Sequence, residues 1–102
     1  MEQVRQIMED LETIAFRELG KYKNDGTCII IDLRSRELYQ KGHVEGAWNI
    51  PYEYLMEEAW EMLPKNRLLL LYCERGGAAM MAGRELMKKG FRVKAAVGGF
   101  EH

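Results

Sequence analysis

The stretch "RLLLLYCERGGAAMMAGRELMKKG", from Arg67 to Gly90, joins an apolar run, a cysteine, a pair of glycines and an amphipathic pattern. The apolar run of residues 67–72 is typical of a strand that is buried on both faces of a parallel sheet. Beyond the glycines, apolar residues recur at helical spacing on one face, and Gly90 stands where a helix would end. The stretch therefore predicts a buried strand that leads directly into a helix.

The alternation of strand and helix extends on both sides of this stretch. A short apolar run at residues 28–31 predicts a second strand, and residues 93–97 are predicted to form a third. Residues 52–63 place their apolar side chains on one helical face, and Pro64 ends the predicted helix. Because right-handed crossovers place helices on both sides of a parallel sheet, this order predicts an α/β fold: a central, mostly parallel sheet with helices on both faces.

The N-terminal residues carry a separate helical pattern. Four apolar residues share one helical face, namely Val4, Ile7, Met8 and Leu11. We therefore predict residues 1–12 to be an N-terminal helical extension and residues 13–102 to be the main domain. Within that domain, residues 13–15 are predicted to form a short edge strand and residues 16–22 a helix.

Length and charge limit the classes of protein that the sequence can encode. A chain of 102 residues is the size of one ordinary domain. Its 15 basic residues are balanced by 16 acidic ones, so it lacks the excess positive charge of a nucleic-acid-binding protein. The charged N-terminus is unlike a signal peptide, and no run approaches the roughly 20 apolar residues that span a bilayer. We therefore expect a cytoplasmic protein with neither a nucleic acid nor a membrane as partner.

The two cysteines are expected to differ in role. Cys28 opens a buried strand, so its thiol is interpreted as apolar packing. In a cytoplasmic chain, two cysteines indicate a reactive thiol and a buried neighbour rather than a disulfide framework. A bridge between Cys28 and Cys73 stays open at this point.

Cys73 stands where ligand sites of α/β sheets usually lie, at the carboxyl end of a predicted strand. Gly76 and Gly77 allow positive φ and close approach, so the backbone can curl and aim several N–H groups inward. The predicted anion-binding loop consists of Glu74, Arg75, Gly76, Gly77, Ala78 and Ala79. A thiol within this loop, beside the positive end of a helix, is expected to ionise readily and to act as a nucleophile. The alternative is that Cys73 only packs as a small apolar residue.

In five short motifs, the sequence resembles the rhodanese-like domain family over about residues 13–100. The motifs are Ile31-Asp32-Leu33-Arg34, Gly42-His43-Val44-Glu45-Gly46-Ala47, Asn49-Ile50-Pro51, Cys73-Glu74-Arg75-Gly76 and Gly98-Gly99-Phe100. The resemblance implies a sulfurtransferase. In such an enzyme, the cysteine accepts a sulfane sulfur from a small donor such as thiosulfate or a persulfide and carries it as a persulfide. It then passes the sulfur to cyanide or to a thiol, which can belong to a protein, and the resemblance implies neither a metal nor an organic cofactor.

The sequence departs from the family pattern at the anion-binding loop. Many members that use thiosulfate carry an arginine at the fifth position after the cysteine, where this chain has Ala78. Arg75 is our candidate for pairing with substrate charge instead, while Glu74 opposes anionic donors. We therefore expect thiosulfate to be a poor donor and a protein or small-molecule persulfide to fit at least as well. The chain also stops at His102, short of the tryptophan and last helix of many members, so we expect a truncated sequence.

The remaining motif residues are interpreted as structural or as lining the site. Asp32 and Arg34 are expected to hold loops together by a salt bridge, and His43 to make a structural hydrogen bond. Two alternative functions stay open. A non-catalytic binding module is one, and a phosphatase or arsenate reductase is the other, although that class closes a longer loop with an arginine where this chain has Ala79.

Overall fold

The computed structural model describes residues 11–100, which form one five-stranded sheet with helices around it. The strands are β1 (Glu12–Ala15), β2 (Cys28–Asp32), β3 (Trp48–Asn49), β4 (Leu68–Tyr72) and β5 (Val93–Val97). Their order across the sheet is β1-β5-β4-β2-β3, and every neighbouring pair is parallel. The predicted α/β class is therefore confirmed, and the described sheet is parallel throughout.

Three α-helices and two 3₁₀ helices connect these strands. They are α1 (Arg36–Lys41), α2 (Tyr52–Glu57), α3 (Gly77–Lys88) and the 3₁₀ helices Phe16–Tyr22 and Ala59–Met62. The predicted single helix over residues 52–63 is wrong, since Glu58 leaves the helical region at φ −137° and ψ −52°. Pro64 disfavours a helical conformation at the residue before it, and Leu63 is indeed extended. The last turn accordingly tightens into a 3₁₀ helix, as helix ends often do.

The two faces of the sheet build two separate cores, because side chains alternate along each strand. Leu69, Leu71 and Cys73 face one core, which α2 and α3 cover. Leu70 and Tyr72 face the other core, which the 3₁₀ helix Phe16–Tyr22 covers. Helices thus lie on both faces, and Cys73 shares its face with α3, the helix that follows it.

The edge strand predicted at residues 13–15 is present as β1, which pairs with β5. Glu12 belongs to this strand, one residue earlier than predicted. The predicted helical extension falls almost entirely on residues 1–10, which lie outside the described residues. The extension stays a prediction over those residues, whereas Leu11 and Glu12, at its predicted end, are not helical.

Cys28 and Cys73 lie at opposite ends of the sheet. The register pairs Cys28 with Leu68, five residues before Cys73. At about 3.3 Å per residue this separates the two cysteines by about 16 Å along the strands. A disulfide needs Cα atoms within roughly 7 Å, so a bridge between them is excluded. Both cysteines are free and buried.

The longest of the described helices, α3, has 12 residues. Over residues 11–100, no helix combines the length and apolar character needed to cross a membrane.

Candidate active site

Cys73 follows β4 directly and lies at the carboxyl edge of the sheet, where α3 begins four residues later. Its side chain is buried, with 6% exposure. The N–H group of Gly76 donates to Sγ of Cys73 at 3.1 Å, and that of Ala79 donates at 3.3 Å. The predicted curl of the loop is therefore present, and the sulfur lies beside the N-terminus of α3. Two fixed N–H donors on one sulfur favour a negative charge there.

Only one of the two loop glycines is needed for this geometry. Gly76 has φ +106°, a left-handed conformation that a residue with a side chain rarely adopts. Gly77 has an ordinary φ, and a Cβ added to it would meet no atom within 4 Å. The curl around the sulfur thus depends on Gly76, whereas Gly77 begins α3 without a steric need for glycine.

An open cleft of about 570 Å³ lies above the sulfur. Its walls consist of Leu33, Arg34, Ser35, Leu38, Cys73, Glu74, Arg75 and Ala78. Three of these side chains are apolar, and Glu74 and Arg75 place one acid and one base at the loop. The cleft can therefore admit a small molecule or a protruding segment to the sulfur, and its apolar wall suits an organic thiol as well as an inorganic anion.

The structure brings most of the predicted loop residues to this cleft. Cys73, Glu74, Arg75 and Ala78 line it directly. Gly76 and Ala79 contribute through their backbone N–H groups. Arg75 is exposed, so its guanidinium stays hydrated at the rim.

The sequence interpretation missed three residues of the cleft, namely Leu33, Ser35 and Leu38. They follow β2, which is the neighbour of β4 in the sheet. Because the carboxyl ends of neighbouring parallel strands share one edge, this position was the signal that could have found them. Ser35 also accepts a hydrogen bond from the N–H of Leu38 and so caps α1.

Asp32 and Arg34 form a buried ion pair beneath the site. Nε of Arg34 donates to Oδ1 of Asp32 at 3.0 Å, and Nη2 donates to Oδ2 at 2.8 Å. The hydroxyl of Tyr72 donates to the same carboxylate at 2.6 Å. Nη2 of Arg34 also donates to the carbonyl of Gly42, which ties the following loop to the pair. Burial, and then the hydrogen bond to Asp32, raise the pKa of Tyr72 far above its ordinary value.

The geometry of this ion pair is that of residues that stabilise the fold. Tyr72 belongs to the core on the sheet face away from Cys73. The carboxylate that pairs with Arg34 is that of Asp32, while Glu37 is exposed on α1. The hydrogen bonds to Asp32 raise the pKa of Arg34, so its guanidinium stays charged beside the carboxylate.

His43 is exposed and packs locally. Its Nδ1 lies 2.8 Å from the carbonyl oxygen of Tyr39, and its ring stacks on the Tyr39 ring with centroids 3.6 Å apart. Both contacts stay within the loop that follows α1. The cleft-lining residues do not include His43, in keeping with the structural interpretation.

The sequence model of the family described as "Rhodanese-like domain" matches residues 15–102. The chain belongs to the rhodanese-like domain family. Relatives of this rhodanese-like domain include a tRNA sulfurtransferase of Desulfurococcus amylolyticus, which is 36% identical over 72% of the chain. The thiosulfate sulfurtransferase GlpE of Coxiella burnetii is 30% identical over 72% of the chain and 68% of the relative.

Solved structures contain the same rhodanese-like fold. Reduced Bacillus anthracis CoADR-RHD is 30% identical and matches 89% of this chain with a TM-score of 0.80. The chain spans 14% of the length of the tRNA sulfurtransferase and 16% of the Bacillus anthracis chain. The comparisons thus support a rhodanese-like domain of the sulfurtransferase type.

Proposed function

We propose that this rhodanese-like domain transfers sulfane sulfur and that Cys73 carries the sulfur as a persulfide. The observation that carries the proposal is the pair of N–H donors on Sγ of Cys73, from Gly76 and Ala79. These donors favour the thiolate, which is the form of cysteine that attacks sulfur. The names of the two sulfurtransferase relatives support the same chemistry.

In the first half-reaction, the Cys73 thiolate attacks the outer sulfur of the donor. The sulfur–sulfur bond of the donor breaks, and its electron pair leaves with sulfite or with an organic thiolate. Cys73 then carries the transferred sulfur as a persulfide anion. The reaction needs no external oxidant, because the sulfane sulfur moves between two sulfur partners without net electron transfer.

In the second half-reaction, cyanide or an acceptor thiolate attacks the outer sulfur of the persulfide. The new bond forms as the bond to Sγ breaks, and Cys73 leaves as a thiolate. The N–H groups of Gly76 and Ala79 stabilise this leaving group as they stabilised the nucleophile, with little reorganisation. The same loop therefore serves both steps.

We propose that the domain prefers a persulfide donor to thiosulfate. Leu33, Leu38 and Ala78 offer apolar contacts to an organic group, whereas Glu74 repels a dianion approaching the sulfur. Arg75 is the one basic side chain of the anion-binding loop, and it is exposed. We accordingly assign it the role of pairing with the charged part of the donor, and we expect the acceptor to be a thiol of a small molecule or of a protein.

A cytoplasmic location is part of the proposal. The proposed chemistry needs Cys73 as a free thiol, which a reducing compartment maintains.

A sulfurtransferase assay tests the function, with thiosulfate or glutathione persulfide as the donor and cyanide as the acceptor. We expect turnover with both donors, faster with the persulfide. Cys73→Ser should abolish turnover, while the control Cys28→Ser should retain it because Cys28 lies at the other end of the sheet. Equal rates for the wild type and Cys73→Ser would refute the proposal and favour a binding module.

A further inference from the structure

The segment Gly98–Phe100 lies directly against the backbone of Cys73 and of the anion-binding loop that follows it. The N–H of Phe100 donates to the carbonyl oxygen of Cys73 at 3.2 Å. Gly99 is buried, and a Cβ on it would overlap the carbonyl oxygen of Glu74 and lie 2.7 Å from the backbone nitrogen of Arg75. Only glycine lets the two backbones approach this closely.

The segment also faces the turn of the loop. A Cβ built on Gly76 would lie 3.5 Å from the carbonyl oxygen of Gly98. The backbone of residues 98–100 therefore follows the loop from Cys73 to Gly76. A displacement of either backbone would move the N–H of Gly76, which is one of the two donors on the sulfur.

Phe100 anchors this segment to the buried ion pair. Its ring lies 4.1 Å from Cζ of Arg34, and its centroid is 6.0 Å from that of Phe16 and 6.2 Å from that of Tyr72. Arg34 is itself held by Asp32, as described above. The contacts thus connect the charged pair on one face of the sheet to the loop around the sulfur on the other.

We infer that Gly99 and Phe100 are positioning residues, which hold the loop so that the N–H groups of Gly76 and Ala79 point at Sγ of Cys73. This inference rests on the proposed function, because that function makes the loop the reaction centre. Neither residue needs to contact the substrate. Their effect is on the direction of these two N–H groups, and so on how well the groups stabilise a negative charge on the sulfur.

The test is the rate of Cys73 alkylation by iodoacetamide at pH 7, divided by the rate at a pH where the thiol is fully ionised. Gly99→Ala should lower this ratio about tenfold, as expected for the loss of a hydrogen bond to a charged sulfur. The matched control is Gly20→Ala, outside the loop, where the added Cβ also meets nothing within 4 Å. It should stay within about twofold of the wild type.

Phe100→Leu is the second variant, since it keeps the backbone N–H and most of the apolar bulk. Losing the ring contact with Arg34 should lower the ratio about threefold. Circular dichroism and urea unfolding confirm that each variant is folded. If Gly99→Ala unfolds, the alkylation ratio of Phe100→Leu tests the positioning role instead. Folded variants with an unchanged ratio would overturn the inference.

Alkylation requires no sulfur donor, so the alkylation ratio can be measured whether or not the protein transfers sulfur. A wild-type protein that fails to turn over sulfur would refute the function alone. An unchanged alkylation ratio in an active variant would refute the positioning role alone.

Discussion

Replacing Tyr72 with phenylalanine removes one hydroxyl from the centre of the fold. The side chain is fully buried, and the hydroxyl donates to Oδ2 of Asp32 at 2.6 Å while it accepts from the N–H of Val44 at 2.9 Å. A hydrogen bond to a charged group contributes about 1.5–3 kcal/mol, and an amide left without its partner adds a further cost. We expect Tyr72→Phe to lower the free energy of unfolding by about 2–4 kcal/mol.

Urea unfolding measures this loss directly. The midpoint should fall while the slope with urea stays unchanged, since the same surface is exposed on unfolding. Tyr54→Phe is the matched control, because Tyr54 is 48% exposed, and it should change stability by less than about 0.5 kcal/mol. A loss below about 1 kcal/mol for Tyr72→Phe would show that the buried carboxylate does not depend on this hydroxyl.

The loss of stability at alkaline pH is a second test of the role of Tyr72. Burial and the hydrogen bond to Asp32 raise the pKa of Tyr72 in the folded state. Its contribution is therefore complete below the unfolded pKa of about 10 and declines at higher pH, because only the unfolded state then ionises. Between pH 10 and 11 the wild type should lose about 1 kcal/mol more stability than Tyr72→Phe does. Parallel losses in the two proteins would contradict the assignment.

The remaining predictions concern the loop, the ion pair and the core. Gly76→Ala forces a side chain into φ +106°, so it should cost about 1–2 kcal/mol in urea unfolding and slow sulfur transfer more than tenfold, whereas Gly77→Ala should change neither. Arg34→Leu leaves Asp32 buried without its cation and should cost about 3–5 kcal/mol, part of which the double variant Asp32→Asn/Arg34→Leu should restore in a double-mutant cycle. Leu55→Ala, at a fully buried position, should cost about 2–5 kcal/mol by thermal or urea unfolding, against less than about 0.5 kcal/mol for Met62→Ala at an 80% exposed position. If a variant and its comparison variant lost the same free energy of unfolding, the role given to the corresponding residue would be contradicted.

Strands buried on both faces were the elements most readily predicted from the sequence. β2 and β4 are short apolar runs bounded by polar residues, and α3 shows a clear helical period after the glycines. β5 is mostly apolar, although Lys94 interrupts it. β3 has only two residues and α1 buries none, so neither leaves a periodic signal. They form because β2 offers a partner to Trp48 and because Ser35 caps α1.

In the candidate site, too, the features that are local in the sequence could be predicted and the others could not. Cys73 and its loop could be predicted because a strand end, a glycine turn and a helix start are local features of one stretch. The contribution of Leu33 and Leu38 to the cleft requires knowing that β2 lies beside β4. The contact of Gly99 with Glu74 joins backbones 25 residues apart in the chain, and no local pattern encodes it. Tertiary packing therefore supplied what local pattern could not.

Intact mass spectrometry of the reduced protein after incubation with glutathione persulfide would detect a sulfur atom carried by Cys73. We expect a mass increase of one sulfur atom in the wild type and in Cys28→Ser. The increase should be lost on treatment with cyanide and absent from Cys73→Ser. An adduct that persists in Cys73→Ser, or a wild type that gains no sulfur, would show that Cys73 is not the sulfur carrier.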